Sequence, residues 1–145
     1  MKIRVSPITP KAVGSLRKLL EEALRDGEPF PSEFVERLRG AVTSGVLEIL
    51  VASVADRTVG VAVVAYRPSI SAAADFASVE EVHVLPGERG KGVGRALLEA
   101  VERQCTARGV SYIEAQTDDE AMAFYTACGY EEEPDVRVMS RSAAL

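Results

Sequence analysis

The sequence predicts a single domain of α+β (mixed α/β) class built on one central sheet. Three observations lead there. At 145 residues, 47% of them apolar, the chain suits one domain with one core. Some apolar residues recur every three to four positions, as in amphipathic helices, while others form β-branched runs of strand length. Two of those runs flank a short turn, which is a hairpin signal.

The elements follow in order. Met1 to Val5 reads as a first strand. Pro10 opens a helix with Val13, Leu16, Leu19, Leu20 and Leu24 on one stripe, stopped at Asp26-Gly27. Pro31-Ser32 precedes a shorter helix carrying Phe34, Val35 and Leu38, closed near Gly40 or Gly45. Val46 to Val54 and Thr58 to Tyr66 are the hairpin strands, joined at Ala55-Asp56-Arg57. Ser69 to Ala77 is a small-residue loop, and Ser78 to Leu85 is the next strand, stopped by Pro86. Gly90 to Arg108 is a helix with Val93, Leu97, Leu98, Val101 and Cys105 inward. Val110 to Ala115 is a strand. Thr117 to Cys128 is a short helix whose Thr117-Asp118-Asp119-Glu120 fits a capping box, with Gly129 at its end. Tyr130 to Met139 reads as a last pair of short strands around Pro134. The order is β-α-α-β-β-β-α-β-α-β-β, with no repeat and no linker over residues 1–145.

Composition narrows the function. A net charge of -5 argues against nucleic-acid binding. Two cysteines, Cys105 and Cys128, make no disulfide framework and read as reduced thiols. The start MKIRVSPITPK lacks an apolar signal core, and no apolar run approaches the ~20 residues of a membrane span. The expectation is a cytoplasmic protein with no membrane partner. One histidine and no CxxC leave metal binding without ligands.

The chemistry concentrates at Arg89-Gly90-Lys91-Gly92-Val93-Gly94, where three alternating glycines follow a strand and open a helix. Free amides at a helix N-terminus, together with the helix dipole, favour an anion, and glycine lets that anion approach the backbone. A P-loop is excluded, because Gly92 five positions after Gly87 is followed by Val93 and not by Lys. The GxGxxG fingerprint needs glycine at 95 or 97, which are Arg95 and Leu97. A pyrophosphate held by several amides with Arg89, Lys91 or Arg95 remains.

The stretch Val84-Leu85-Pro86-Gly87-Glu88-Arg89-Gly90-Lys91-Gly92-Val93-Gly94 resembles motif A of the GNAT superfamily of N-acetyltransferases, whose Q/R-x-x-G-x-G/A core falls on Arg89, Gly92 and Gly94. Ala121 through Phe124-Tyr125 to Gly129-Tyr130 resembles its motif B. The resemblance covers essentially the whole chain. It implies a mostly antiparallel sheet of six to seven strands with about four helices, the fourth and fifth strands splayed around acetyl-CoA. It implies amides of Gly90, Lys91, Gly92, Val93, Gly94 and Arg95 on the pyrophosphate, and a bulge at Val82-His83-Val84 that frees the Val84 N–H for the thioester carbonyl. Asp118 stands where the family often has Asn near the pantetheine arm, so an amide donor is missing there.

Acetylating an amine requires a base, because the acceptor arrives mostly as ammonium with a pKa of ~10; the departing thiolate, of pKa ~8.5, gains from an acid. The resemblance points Tyr125 toward the CoA sulfur as that acid; read locally, Tyr125 is a core aromatic on a stripe with Ala121, Phe124 and Cys128. Glu80 is the base that the resemblance implies, within Glu80-Glu81-Val82-His83-Val84. Strand alternation puts Glu80 with Val82 and Val84, and Glu81 with His83 on the other face; Glu81 and His83 are the alternatives. Cys128 has no neighbour to lower its pKa, so direct attack by the amine replaces an acetyl-cysteine route. Between Val110 and Asp135 stand eight acids (Glu114, Asp118, Asp119, Glu120, Glu131, Glu132, Glu133, Asp135) and no Lys or Arg, a field that attracts a cationic amine. Glu28, Phe30 and Tyr66 are the acceptor-contact candidates.

The expected function is therefore transfer of acetyl from acetyl-CoA to a primary amine, a small molecule first. A protein N-terminus or lysine, and a catalytically silent acyl-CoA-binding module, are the alternatives. The family commonly dimerises, so a homodimer is among the implied partners.

Overall fold

The computed structural model describes residues 2–143. Its elements are β1 (Arg4–Pro7), α1 (Ala12–Arg25), α2 (Ser32–Ser44), β2 (Leu47–Val54), β3 (Arg57–Ser69), β4 (Ala74–Val84), α3 (Val93–Ala107), β5 (Ile113–Ala115) and α4 (Asp119–Ala127). The strands form one sheet in the order β1-β2-β3-β4-β5. All pairings are antiparallel except β4 with β5.

The hairpin of β2 and β3 forms as its turn chemistry predicts. Ala55 and Asp56 both have positive φ, 49° and 64°, the geometry that suits the twist of flanking strands. Two expected boundaries move. β3 runs on to Ser69 and β4 begins at Ala74, so most of the predicted loop at 69–77 is strand. Small residues there weaken the sequence signal, but each gains a ladder partner, from Arg67 opposite Phe76 to Ser69 opposite Ala74.

The helices cover both faces. On one face α3 packs Val93, Leu97, Leu98, Val101 and Cys105 against Leu50, Ala52, Ala62, Val64, Ala77 and Val79. Each such side chain, fully buried, contributes roughly 1.5–3 kcal/mol. On the other face Leu20 of α1, with Leu16, Leu24, Leu38 and Val42, covers Ile49, Val51, Val61 and Val63 of β2 and β3. Gly60 lets α3 lie close to the sheet: a Cβ there would sit 3.0 Å from Val93 Cγ1 and 3.1 Å from the His83 carbonyl.

Among the described residues the sheet has five strands, not six to seven. The expected pair within Tyr130 to Met139 is absent: this segment has no strand, and Val136, Val138 and Met139 are exposed. Three consecutive glutamates and Pro134 oppose strand pairing there, and a strand without a partner has no ladder to stabilise it. The strand expected at Val110 shortens to Ile113–Ala115, and the helix expected from Gly90 starts at Val93 after a 3-10 turn at Pro86–Glu88. The Met1 end of the expected first strand lies outside the described residues; the strand itself is Arg4–Pro7. Among the described residues no helix is long and apolar enough to cross a membrane.

Candidate active site

Two strands part at one edge of this sheet. β5 pairs with β4 only along Ala77, Val79 and the residue between them, while β4 continues to Val84. Beyond Val79 the β5-facing edge of β4 is open. Leu85 N–H donates to Val59 O of β3 at 2.9 Å. Backbone groups alternate along a strand, so the N–H and C=O of Val84 turn the other way, into the gap. Arg89 Nε donates to that Val84 carbonyl at 2.9 Å, and the Val84 N–H faces the gap beside it.

The N-terminus of α3 closes one end. Gly92 is its N-cap, with φ 87°, a left-handed conformation that side chains other than glycine's resist. The first intrahelical bond is Ala96 N–H to Gly92 O at 3.0 Å, so the amides from Gly92 to Arg95 precede any helical acceptor. No side chain caps them. A groove of about 620 Å³ lies between this turn, β4 and α4, within the usual range for ligand clefts. Val82, His83, Val84, Arg89, Gly90, Gly92, Val93, Gly94, Arg95 and Asp118 all line it. Two expected members do not. Lys91 is drawn aside, its ammonium 3.4 Å from Glu88, which also pairs with Arg57 at 2.7 Å. Tyr125 stands behind the lining, packed against the α3 cluster.

Two local readings change. Gly94 is bare for packing: a Cβ would lie 2.9 Å from Phe124 Cε1, so the α3–α4 approach requires glycine there. Asp118, not Thr117, is the N-cap of α4, its Oδ1 accepting from Ala121 N–H at 2.8 Å. An N-cap aspartate one residue later gives the first turn its acceptor, which leaves Thr117 outside the helix.

The carboxylate pair sits on a bulge. Val63 stands opposite Glu81 and Val64 opposite Val79, so Glu80 is the extra residue of β4. The bulge was expected at Val82-His83-Val84; it falls earlier. It also breaks the alternation that grouped Glu80 with Val82 and Val84. Those two valines pack toward α3, whereas Ser78 Oγ donates to Glu80 at 3.0 Å. Glu81 and His83, opposite Val63 and Val61, lie on the α1/α2 face.

The electrostatics single out Glu81. Partial burial, then the adjacent Glu80 charge, holds its carboxyl above the usual carboxylate value. Tyr125 is also raised, by burial first, then by Glu81 and Cys128. The Tyr125 ring meets Phe124 edge-on at 5.2 Å and Tyr130 at 5.4 Å. His83 is lowered by burial and then by Arg89, which favours the neutral imidazole. Burial outweighs the Arg95 charge at Cys128 and raises its thiol, so a thiolate nucleophile is disfavoured although the residue lines the groove. Among the described residues no group of three His, Cys, Asp or Glu is placed to hold a metal.

The acceptor-contact candidates separate. Phe30, between α1 and α2, packs on the Val61 and Val63 cluster and stacks with Phe34 at 5.3 Å, on the face that carries Glu81. Its N–H donates at 2.7 Å to the buried Glu21, a residue that sequence periodicity did not single out because it sits within a helical acid pair. Glu28 lies at the outer side of the same loop, 3.5 Å from Arg25. Tyr66 is on the opposite face, donating to Glu48 at 2.5 Å under the Arg108 guanidinium, and does not join them.

Among the described residues the buried Tyr130 hydroxyl has no hydrogen-bond partner. Tyr130→Phe is expected to raise the melting temperature, since it removes an unpaired polar group whose burial costs about 1–3 kcal/mol. A thermal melt checks it; a lowered midpoint would mean that the hydroxyl has a partner in solution.

The geometry agrees with known proteins. Residues 14–130 match the sequence model of the acetyltransferase (GNAT) family. Among solved structures, the aminoglycoside acetyltransferase meta-AAC0020 from an uncultured soil metagenomic sample, in complex with sisomicin, superposes with a TM-score of 0.83 at 15% identity, over 98% of this chain and 97% of that one. AAC(6')-Iy in complex with the bisubstrate analogue CoA-S-monomethyl-acetylneamine gives 0.80 at 19% identity, over 99% and 100%. A predicted acetyltransferase from Clostridium acetobutylicum with acetyl-CoA gives 0.77 at 14% identity, over 96% of each chain. At these identities the structures speak for the fold, and the family match over most of the chain speaks for descent: the protein belongs to the GNAT family of acetyltransferases.

Proposed function

We propose that the protein transfers an acetyl group from acetyl-CoA to a primary amine by direct attack. The observation that carries this reading is the parted edge of β4, opening onto the uncapped amides of α3. The pyrophosphate would lie on the amides from Gly92 to Arg95, with the Arg89 and Arg95 guanidinium groups supplying charge. Arg95 donates to Ala127 O at 2.9 Å, which fixes it across the α3–α4 groove. The Val84 N–H would donate to the thioester oxygen as negative charge develops there. Acetyl-CoA supplies the activated acyl group; the chain supplies the donor, the base and the acid.

The base belongs to the bulged pair. Glu81 is the better placed of the two: its carboxyl shares a face with Phe30 and its charge is felt at Tyr125. Glu80, the residue implied by family resemblance, acts on Glu81 through its charge. Tyr125, held protonated by its raised pKa, would give its proton to the departing sulfur. A cationic small molecule is the favoured acceptor, given the acids of β4 and β5. The sisomicin and acetylneamine complexes of fold relatives support an amine acceptor.

Acetyl transfer to an amine panel, read by mass spectrometry with CoA release in parallel, tests the reading. Tight CoA binding with no transfer to any amine would reduce the protein to a binding module. The pH profile tests the base. A base must be deprotonated, so kcat/KM falls as pH drops through the raised Glu81 pKa. Glu81→Gln is expected to lose that acidic limb and to gain rate only as the amine itself deprotonates. Glu80→Gln removes the neighbouring charge, so the limb should shift to lower pH but persist. The opposite pattern would assign the role to Glu80.

A further inference from the structure

Among the described residues, the apolar cover that α1 and α2 lay on their face of the sheet lies over β2 and β3. Past that cover, β4 and β5 present an aromatic pair and a carboxylate. The rings of Phe76 and Tyr112 lie 4.5 Å apart. Glu114 stands beside Ser78 in the parallel register, and Ser78 is bonded to Glu80. Ring faces next to a carboxylate make a site for a cation, through quadrupole attraction and charge. In this chain a cation already occupies it. The Arg67 guanidinium lies 5.5 Å from the Phe76 centroid and 3.3 Å from Glu114 Oε1. Its side chain is 54% exposed, so the occupant is held from one side only.

We propose that the Phe76, Tyr112 and Glu114 cage is a second ammonium subsite of the acceptor, and that Arg67 is an internal competitor which a diamine or polyamine displaces. This rests on the acceptor face proposed above. The spacing supplies the substrate class. Glu81 is three residues from Ser78, one of them bulged out, so at ~3.4 Å per strand residue the Glu114 edge of the cage, level with Ser78, is about 7–10 Å from the reacting position, and the Phe76 edge lies further along β4. A monoamine fills one position. A molecule with two ammonium groups at that spacing fills both, one end at Glu81 and the other in the cage. Exposed guanidinium contacts with one ring and one carboxylate are individually weak, so the second ammonium is able to displace them.

The test is calorimetry on the full chain saturated with CoA, which permits no turnover, using hexamethylenediamine against hexylamine. Arg67→Ala is expected to tighten the diamine by about tenfold, the combined scale of the two contacts it vacates, and to widen its advantage over hexylamine. Glu114→Gln, which preserves size, is expected to erase that advantage. Arg4→Ala on β1, at the far edge of the sheet, removes the same charge and should leave both affinities unchanged. The proposal is overturned if Arg67→Ala binds the diamine no tighter than the parent, if Arg4→Ala tightens it equally, or if Glu114→Gln keeps the full diamine advantage. The transferase reading fails separately: the predicted binding pattern without acetyl transfer to the diamine would remove the activity and keep the cation subsite.

Discussion

Tyr125→Phe is expected to lower kcat by about 10²-fold or more while leaving acetyl-CoA affinity unchanged. The substitution removes one oxygen and keeps the ring. The ring's neighbours, Phe124 at 5.2 Å and Tyr130 at 5.4 Å, lose no apolar contact. The cost should therefore fall on the step that needs a proton at the departing sulfur, not on folding. Tyr125 stands behind the groove lining, so cofactor binding has little to lose. Steady-state kinetics with the best amine from the panel, together with calorimetry for the cofactor, separates the outcomes. A kcat within a few-fold of the parent would make Tyr125 a packing residue and leave protonation of the thiolate to solvent.

Gly92→Asp is expected to weaken acetyl-CoA binding by roughly 100-fold. A carboxylate about 5 Å from a phosphate, at an effective dielectric of ~20, opposes it by ~3 kcal/mol. The left-handed φ of 87° adds strain of about 1–2 kcal/mol for a side chain. A Cβ at this position would meet nothing within 4 Å, so the fold should survive. Calorimetry measures the affinity, and a melt in the absence of ligand verifies folding. Unchanged affinity in a folded variant would remove the turn from the cofactor site. At Gly94 the balance is reversed: its missing Cβ makes room for Phe124, so harm there begins with packing.

The sequence was sufficient for what depends on local pattern. Helix periodicity located α1, α2 and α3, and β-branched runs located β2 and β3, because each element carries its own buried stripe. The glycine turn was legible because alternating glycines before a helix have a backbone purpose wherever they occur. It brought ten of the twelve expected cofactor residues to one groove. Tertiary structure decided whatever depends on a partner strand. The five-strand count was not readable, since Tyr130 to Met139 has strand-like residues but gains no edge to pair with. The position of the bulge was decided by the register of β4 on β3, and it moved Glu80 off the Val82 face, while Glu81 kept the His83 face that alternation gave it, the face that also carries Phe30. Tyr66 looked like an acceptor contact by its place in the chain, yet pleat parity turns it toward α3 and Glu48. Phe76, Arg67, Tyr112 and Glu114 carry no shared periodicity; only the pairing of three strands brings them together, because side chains distant in sequence meet through ladder register alone.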